Sequence, residues 1–406
     1  MTTIFKKKDD VSIIDLPGSD LVFTRYLYVK EEVRIALLVS ILNKSDDAIF
    51  WAYEMYYSGF KHELFTLIWK IYYDFFATIN PTYEAYLIKK HREILELDLV
   101  RDINLDQDKL VSSIIQDLLF RPFNSDVFLI RNIVENFDID IDYHNSTEKI
   151  IDILELFTQW IKNNDYRSIS QWIFNVNKTM DVVEIYNICL DIFENIGLKI
   201  TKIKFKKDFV SSLNLNINSN VILLAKIMCL FSKKEELKKG KSIYINVESE
   251  DIIIYETIYG SDDIKGYKIL EKACICGIDE LKHLSLFKLK RLTYNLEEKY
   301  RNNWEYHASF SPIWSQRIKK YGAYPNYSKQ KIIFKEKPDD ELMQEFYNLY
   351  GLEPDEQSQS VQQKSIQPIE KIYDWARFYK EYKKNGLFDI YEEELEEFDE
   401  MGGLIY

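Results

Sequence analysis

Apolar residues between about residues 29 and 236 recur mostly at the three- and four-residue spacing of an α-helix. Capping signals interrupt this pattern roughly every 15–20 residues, which is typical of stacked helical hairpins. A chain of 406 residues with 46% hydrophobic content can bury a large core, but it exceeds the size at which one core keeps growing. We therefore predict a mostly α fold built as a HEAT-like or irregular helical array.

Two consecutive segments predict the centre of that array. In KSDDAIFWAYEMYYSGF, Ser45 can cap the start of a helix and Gly59 stands where the helix would end. The next segment, ELFTLIWKIYYDFFA, is apolar around most of its circumference and should form a central helix that ends before Pro81. Together they predict a core centred on residues 45–80.

The pattern changes along the chain and divides it. ITKIKFKKDF and KSIYINV alternate in polarity, which predicts a small β insertion near 200–260, and DEQSQSVQQKSIQP has the composition of a polar linker. Further helices are predicted at roughly 82–97, 107–120, 124–136, 147–163, 166–177, 180–196 and 219–236. The predicted units are an N-terminal arm (1–28), a helical-repeat-like domain (29–199), a second mostly helical lobe (200–350), the linker (351–370) and an acidic-aromatic tail (371–406).

Charge and targeting signals narrow the class of protein. The chain has a net charge of −13, so a general attraction to nucleic acid or to an anionic membrane is not expected. The N-terminus, MTTIFKKKDD, lacks the apolar stretch of a signal peptide, and the longest apolar run is too short to span a bilayer. We expect a soluble intracellular protein with no membrane partner, whose four scattered cysteines are reduced.

Motifs of catalysis and of metal binding are missing from the sequence. It contains no G-x-x-x-x-G-K-[ST], no G-x-G-x-x-G and no H-E-x-x-H. The alternating acids of DIDID at 138–142 lack the glycine and glutamate of an EF-hand loop, so a solvated acidic turn is favoured over calcium. We expect no cofactor, no metal and no enzymatic activity. An enzyme with an unfamiliar site remains an alternative, because catalytic residues need not form a linear motif.

The stretch KIKFKK at residues 202–207 is the most basic local element. In a strand its alternate lysines would share one face, and Ile203 and Phe205 would share the other. The candidate nucleic-acid contacts are Lys202, Lys204, Lys206 and Lys207. The alternative is an edge strand that lysines protect from aggregation.

Four segments resemble an uncharacterised protein family of large DNA viruses of amoebae and algae. They are WAYEMYYSGF, LFTLIWKIYYDFF, EYHASFSPIWSQRI and GLEPDEQSQSVQ. This resemblance implies a viral protein that acts in the host cytoplasm, at the viral factory, or in the virion.

The tail contains a second resemblance. YKKNGLF, at residues 382–388, is similar to the motif by which the scaffold subunit of the eukaryotic cap-binding complex docks on the cap-binding protein. The resemblance implies that Tyr382 packs on the partner's helical face and that Leu387 and Phe388 fill an apolar groove. It also implies that stacked helical pairs could hold an RNA helicase. The alternative is that Gly386 ends a helix and Leu387 folds back on the preceding turn.

The hypothesis that follows is a non-enzymatic helical scaffold or adaptor. In this hypothesis the tail binds a cap-binding protein, and the helical domains bind a helicase and RNA during translation initiation. The alternative is a structural or genome-packaging protein of the virion.

Overall fold

The fold is known from a computed structural model. It describes residues 5–7, 21–99, 105–139, 150–177, 180–198, 200, 203, 205, 217–233, 235–252, 255, 296–335 and 340–350. The predicted linker and tail, with the whole of 351–406, lie outside the described residues.

The described chain is mostly helical, which confirms the predicted fold class. The helices are α1 (Lys30–Leu42), α2 (Asp47–Tyr57), α3 (Lys61–Ile71), α4 (Tyr83–Leu99), α5 (Leu105–Phe120), α6 (Asp126–Asn136), α7 (Ile150–Asn163), α8 (Tyr166–Gln171), α9 (Val182–Asn195), α10 (Ser219–Phe231), α11 (Leu296–Ala308), α12 (Pro312–Lys320) and α13 (Asp340–Tyr350). Two π-helical segments, Tyr72–Phe76 and Trp172–Val176, continue α3 and α8. The helix predicted at roughly 219–236 is α10. It ends at Phe231, because Ser232 has an extended backbone conformation.

The strands form two small antiparallel sheets. Strand β1 (Phe5–Lys7) pairs with β2 (Phe137–Ile139), and β3 (Ala323–Asn326) pairs with β4 (Lys331–Phe334) as a hairpin. The small β element was predicted near 200–260, but the described residues of that range contain no strand. At Ile203 the backbone carbonyl accepts a hydrogen bond from the hydroxyl of Tyr186, at 3.0 Å.

Local signals at the ends of α2 act as the sequence predicts. Ser45 Oγ accepts a hydrogen bond from the backbone N–H of Asp47 at 3.3 Å. Gly59 has a φ of +90°, and the next backbone N–H, of Phe60, reaches back to the carbonyl of Met55 at 3.1 Å. A Cβ at Gly59 would also stand 2.5 Å from the Pro312 side chain, so the glycine permits both the turn and the approach of α12.

Helix α3 and its π-helical continuation form the predicted centre of the core. All apolar side chains of this segment from Leu64 to Phe76 are buried, whereas Thr66 and Lys70 form a narrow polar stripe that is not. Helices α1 and α2 lie against α3, while α6 and α10 lie against the π-helical segment. Helix α10 is itself buried from Val221 to Leu230. The predicted core around 45–80 is confirmed. Apolar side chains cover most of the circumference of this helix, and the neighbouring helices bury them.

The packing of the helices is irregular. Consecutive helices α1 and α2, α4 and α5, and α7 and α8 pack as pairs, but α2 also packs on α5 and α10 packs on α6 and α9. A second apolar cluster joins α7, α8, α9 and α10. The arrangement is a helical array in which α10 belongs to both clusters.

The main cluster also includes residues from both ends of the described chain. Phe23 and Tyr28 belong to it, as do Trp304, Trp314 and Phe346. The segment before α1 is therefore part of the core, and α11 to α13 pack on the same cluster. The predicted domain boundaries stay a prediction.

No helix in the ranges that the structure covers is long and apolar enough to cross a membrane.

Truncation of a core ring should destabilise the protein, whereas truncation of an exposed ring should not. Phe75 is 1% exposed and Phe120 is 66% exposed. Phe75→Ala should lower the free energy of unfolding by about 3–5 kcal/mol, because it leaves a cavity. The matched control Phe120→Ala should change it by less than about 0.5 kcal/mol. Denaturant unfolding measures both, and equal losses would contradict the assigned core.

The burial of His91 makes the stability of the folded protein depend on pH. Its Nδ1 accepts a hydrogen bond from Trp69 Nε1 at 3.1 Å, and burial, with a smaller contribution from His62, lowers its pKa to about 4. Between about pH 6.5 and 4 the unfolded chain therefore takes up a proton that the folded chain refuses. Stability should fall on acidification through this window, by up to about 1.4 kcal/mol per pH unit from this residue.

His91→Gln should reduce that slope in unfolding measurements made across the same pH window. The matched control His62→Gln changes an exposed histidine and should retain most of the slope. His307, whose pKa burial also lowers to about 4, supplies a similar contribution that both variants keep. An unchanged slope in His91→Gln would mean that its imidazole is not held neutral.

Candidate functional site

A tight turn before α1 begins the candidate site. The backbone N–H of Thr24 donates to the carbonyl of Tyr28 at 2.9 Å, and Leu27 has a φ of +62°. A left-handed conformation is strained for leucine and persists only where the surroundings enforce it. The turn places Arg25 and Tyr26 against α2 and α12.

We call the group of residues around this turn the arginine–tyrosine site. It consists of Arg25, Tyr26, Glu54, Tyr57, Trp314, Arg317 and Tyr350.

Glu54 of α2 holds the turn in place. Its side chain is 0% exposed, and its Oε2 accepts a hydrogen bond from Arg25 Nε at 3.1 Å. Its Oε1 accepts from the backbone N–H of Tyr26 at 3.1 Å. Ser58 Oγ donates to the Glu54 carbonyl and accepts from the Arg25 backbone N–H. Both carboxylate oxygens are satisfied, as a buried charge requires.

Aromatic rings cover the Arg25 guanidinium. Its Cζ lies 4.9 Å from the centre of the Tyr26 ring and 4.6 Å from that of Tyr57. Each such contact contributes about 0.5–2 kcal/mol. The Tyr57 hydroxyl donates to Asp108 Oδ2 at 2.8 Å, which fixes the ring.

Arg317 of α12 differs from Arg25 in what it binds. Its Cζ lies 4.7 Å from the centre of the Trp314 ring and 4.8 Å from that of Tyr350. Burial lowers the pKa of this guanidinium, and the nearby charge of Arg25 lowers it further, while Tyr350 raises it. Among the described residues, none forms a hydrogen bond or an ion pair with the guanidinium of Arg317. Its planar N–H donors can bind a carboxylate or a phosphate.

Asp117 is at the centre of a second buried polar cluster. Its Oδ1 accepts a hydrogen bond from the Ile245 backbone N–H at 2.7 Å, and its Oδ2 accepts from the Tyr83 hydroxyl at 3.2 Å. Burial raises its pKa to about 6. Arg121 donates to the backbone carbonyls of Gly240 and Ile243. This cluster attaches the segment after α10 to α5.

A third buried contact joins α4 and α10. Lys226 Nζ lies 2.5 Å from Glu84 Oε2, and Glu84 Oε1 accepts a hydrogen bond from the Tyr73 hydroxyl at 3.0 Å. The buried charges of the second and third clusters bind either backbone groups or opposite charges on other helices. They therefore connect elements that are distant in sequence.

The site residues predicted from sequence lie outside the described residues. Those of the tail are Tyr382, Leu387 and Phe388, and those of the basic stretch are Lys202, Lys204, Lys206 and Lys207. Within the basic stretch, Ile203 and Phe205 are described, half-buried and not in a strand, and the Phe205 ring lies 5.5 Å from that of Tyr186. The assignment of these lysines to nucleic acid stays a prediction.

The thiols of Cys189 and Cys229 are buried, and burial raises the pKa of both, to about 12 for Cys229. In the part of the chain that the structure describes, no group of three or more metal-binding side chains comes together.

Sequence reasoning missed the arginine–tyrosine site, although one signal was present. Glu54 is a lone acid near the end of the otherwise apolar stretch AIFWAYEMYY, and a buried carboxylate needs a partner. Nothing in the sequence indicated that Arg25 is that partner or that Arg317 lies nearby, because these residues are distant along the chain.

No family model, no curated protein and no solved structure matches the chain.

Removal of the Glu54 charge should be costly. Glu54→Gln leaves the buried Arg25 guanidinium without its counter-charge, and we expect a loss of about 3–5 kcal/mol in the free energy of unfolding. The matched control is Glu93→Gln, which removes a pair with Lys90 near the surface and should cost less than about 1 kcal/mol. Denaturant unfolding compares the two, and similar small losses would contradict the anchoring role of Glu54.

Proposed function

We propose that the chain is a non-enzymatic scaffold or adaptor that holds protein partners. The observation that carries this proposal is the environment of Arg317, whose guanidinium lies beside the rings of Trp314 and Tyr350 and has no hydrogen-bond partner in the part of the chain that the structure describes. Arginine, tryptophan and tyrosine are the residues that most often dominate binding energy at protein interfaces. A carboxylate of a partner would complete the hydrogen bonds of this guanidinium.

The other buried charges support a scaffold because they act as structural links. Glu54 and Asp117 each bind a backbone N–H of a distant segment, and Arg121 binds two backbone carbonyls. Such contacts fix the relative positions of helices, so the body can present binding surfaces in a defined geometry.

We extend the proposal to the tail and to translation initiation. The tail would dock a cap-binding protein through Tyr382, Leu387 and Phe388, and the body would hold an RNA helicase. RNA would contact Lys202, Lys204, Lys206 and Lys207. We also propose, from the resemblance to proteins of large DNA viruses, that this activity belongs to the host cytoplasm or the viral factory, with a structural or packaging role in the virion as the alternative.

Co-purification from infected cells tests the scaffold proposal. The tagged wild-type chain should recover initiation factors, whereas recovery of capsid proteins would favour the virion alternative. Arg317→Gln should lose a partner of the body, and the matched control Arg34→Gln, a residue paired with Glu31 on α1, should not. If neither Arg317→Gln nor a change in the tail alters the recovered proteins, the proposal is wrong.

The tail variant is Leu387→Ala with Phe388→Ala. It should lose the cap-binding protein and weaken direct binding in calorimetric titration by several kcal/mol, because these side chains would bury apolar surface in the complex. Leu395→Ala with Phe398→Ala is the matched control in the same tail. Thermal melts of both variants should equal that of the wild type. A sharp fall in melting temperature without any binding would show instead a packed helix end.

A further inference from the structure

The hairpin of β3 and β4 belongs to a stretch of unusual charge. Residues 306–335 contain six basic residues and no aspartate or glutamate, in a chain whose net charge is −13. The six are Arg317, Lys319, Lys320, Lys329, Lys331 and Lys335. All five lysines are exposed. This local excess of positive charge is the kind of surface that binds phosphate groups.

The strand register brings lysines to both sides of an exposed tyrosine. Tyr324 pairs with Ile333, Asn326 pairs with Lys331, and the Lys335 backbone N–H extends the ladder to Gly322. Paired residues point to the same face of a sheet, so Tyr324, Lys331 and Lys335 share one face. Tyr324 is 43% exposed, and the two lysines occupy its diagonal cross-strand positions. We call these three residues the tyrosine–lysine face.

The opposite face of the hairpin packs on the protein core. Ala323 is buried in the main cluster, and Ile332 and Phe334 pack against it. The Phe334 ring lies 5.9 Å from that of Phe346 on α13. The tyrosine–lysine face is therefore the outer surface of a supported hairpin.

The turn of the hairpin adds a second exposed ring. Tyr327 is 64% exposed, although its ring lies 6.2 Å from that of Tyr306 and 6.5 Å from that of Phe310. Asn303 and Lys299 of α11 hold the turn through hydrogen bonds to Gln330, at 2.8 and 2.7 Å. A turn anchored in this way loses little conformational entropy when a ligand binds.

An acidic group near this surface, Glu305, is already engaged. Glu305 is half-buried, and this burial raises its pKa; it accepts a hydrogen bond from the Tyr347 hydroxyl at 3.0 Å. The charge of Lys331 acts on Glu305 in the opposite direction, so this lysine lies near the carboxylate. No described carboxylate forms an ion pair with Lys329, Lys331 or Lys335.

From these observations we infer that the tyrosine–lysine face and the adjoining turn bind single-stranded nucleic acid. Unpaired bases would stack on the rings of Tyr324 and Tyr327, and phosphates would contact Lys329, Lys331 and Lys335. The inference deepens the scaffold proposal, on which it rests, by giving its nucleic-acid contact a location other than residues 202–207. Bases inside a duplex cannot stack on these rings, which favours single strands.

Fluorescence anisotropy tests the inference with the full-length chain. The probes are labelled single-stranded RNA and DNA of about 12 nucleotides and the corresponding duplex, because a site of this type covers about 4–16 nucleotides. We expect both single strands to bind more tightly than the duplex. Tyr324→Ala and Tyr327→Ala should each weaken binding by roughly 10-fold, whereas Tyr→Phe at either position should retain it, since the ring does the stacking.

The lysines are tested by their effect on salt dependence. Changing Lys329, Lys331 and Lys335 to Gln should weaken binding and lower the log–log salt slope by about 2, as three lost phosphate contacts on a single strand predict. The matched control changes three other exposed lysines, Lys233, Lys238 and Lys241, to Gln and should leave the slope nearly unchanged. Thermal melts of all variants confirm that they are folded.

Several results would overturn the inference. The first is that no oligonucleotide binds, and the second is that the control lysine variant loses as much affinity as the hairpin variant. The third is that the duplex binds as tightly as the single strands and Tyr→Ala has no effect on affinity. The fourth is that these lysines are needed only for binding to vesicles that contain phosphatidylserine. If binding falls only when Lys202, Lys204, Lys206 and Lys207 are changed to Ser, the inference is wrong while the RNA contact of the scaffold proposal stands. Docking of the tail is measured in a separate titration, so a failure of tail docking is distinguishable from a failure of this inference.

Discussion

The burial of α3 is the constraint on which the rest of the structure depends. From Leu64 to Phe76 every apolar side chain of this helix and its π-helical continuation is buried, and only a narrow stripe at Thr66 and Lys70 is not, so neighbours must cover most of its circumference. Helices α1, α2, α6 and α10 supply the cover, although α10 follows α3 by about 150 residues of chain. Long-range association is thus a requirement of the apolar surface, and the irregular array follows from it.

Covering an apolar helix with distant segments also brings charged side chains into the interior. Lys226 lies in the otherwise apolar α10, and it is tolerated because Glu84 of α4 is its partner. Glu54 likewise lies in the mostly apolar α2, and its partner is Arg25. A buried pair of this kind adds little net stability, but loss of one member is costly. These pairs therefore favour one arrangement of helices over the alternatives.

The two surfaces proposed for binding depend on the packed core in different ways. Arg317 lies where the turn before α1 meets α12 and α13, so its environment exists only when three distant segments pack together. Tyr324 and Lys331 are presented by a hairpin whose other face is part of the core. Both use arginine or lysine with aromatic rings, which suits a partner that carries negative charge. A chain of net charge −13 can hold such a partner only at local basic surfaces.

The sequence determined the approximate positions of the helices, the stop of α2 before Gly59 and the buried centre at 45–80. Periodicity and capping act over a few residues, so a local pattern is enough to predict them. Sequence alone also marked Glu54 as unusual. The tertiary structure decided that Arg25 is its partner, that Arg317 lies between two rings and that a β-hairpin forms at 323–334. Alternating polarity also could not predict that the backbone carbonyl of Ile203 accepts a hydrogen bond from the Tyr186 hydroxyl. Partners of buried charges and of backbone groups depend on which distant segments meet, and local sequence patterns do not encode those meetings.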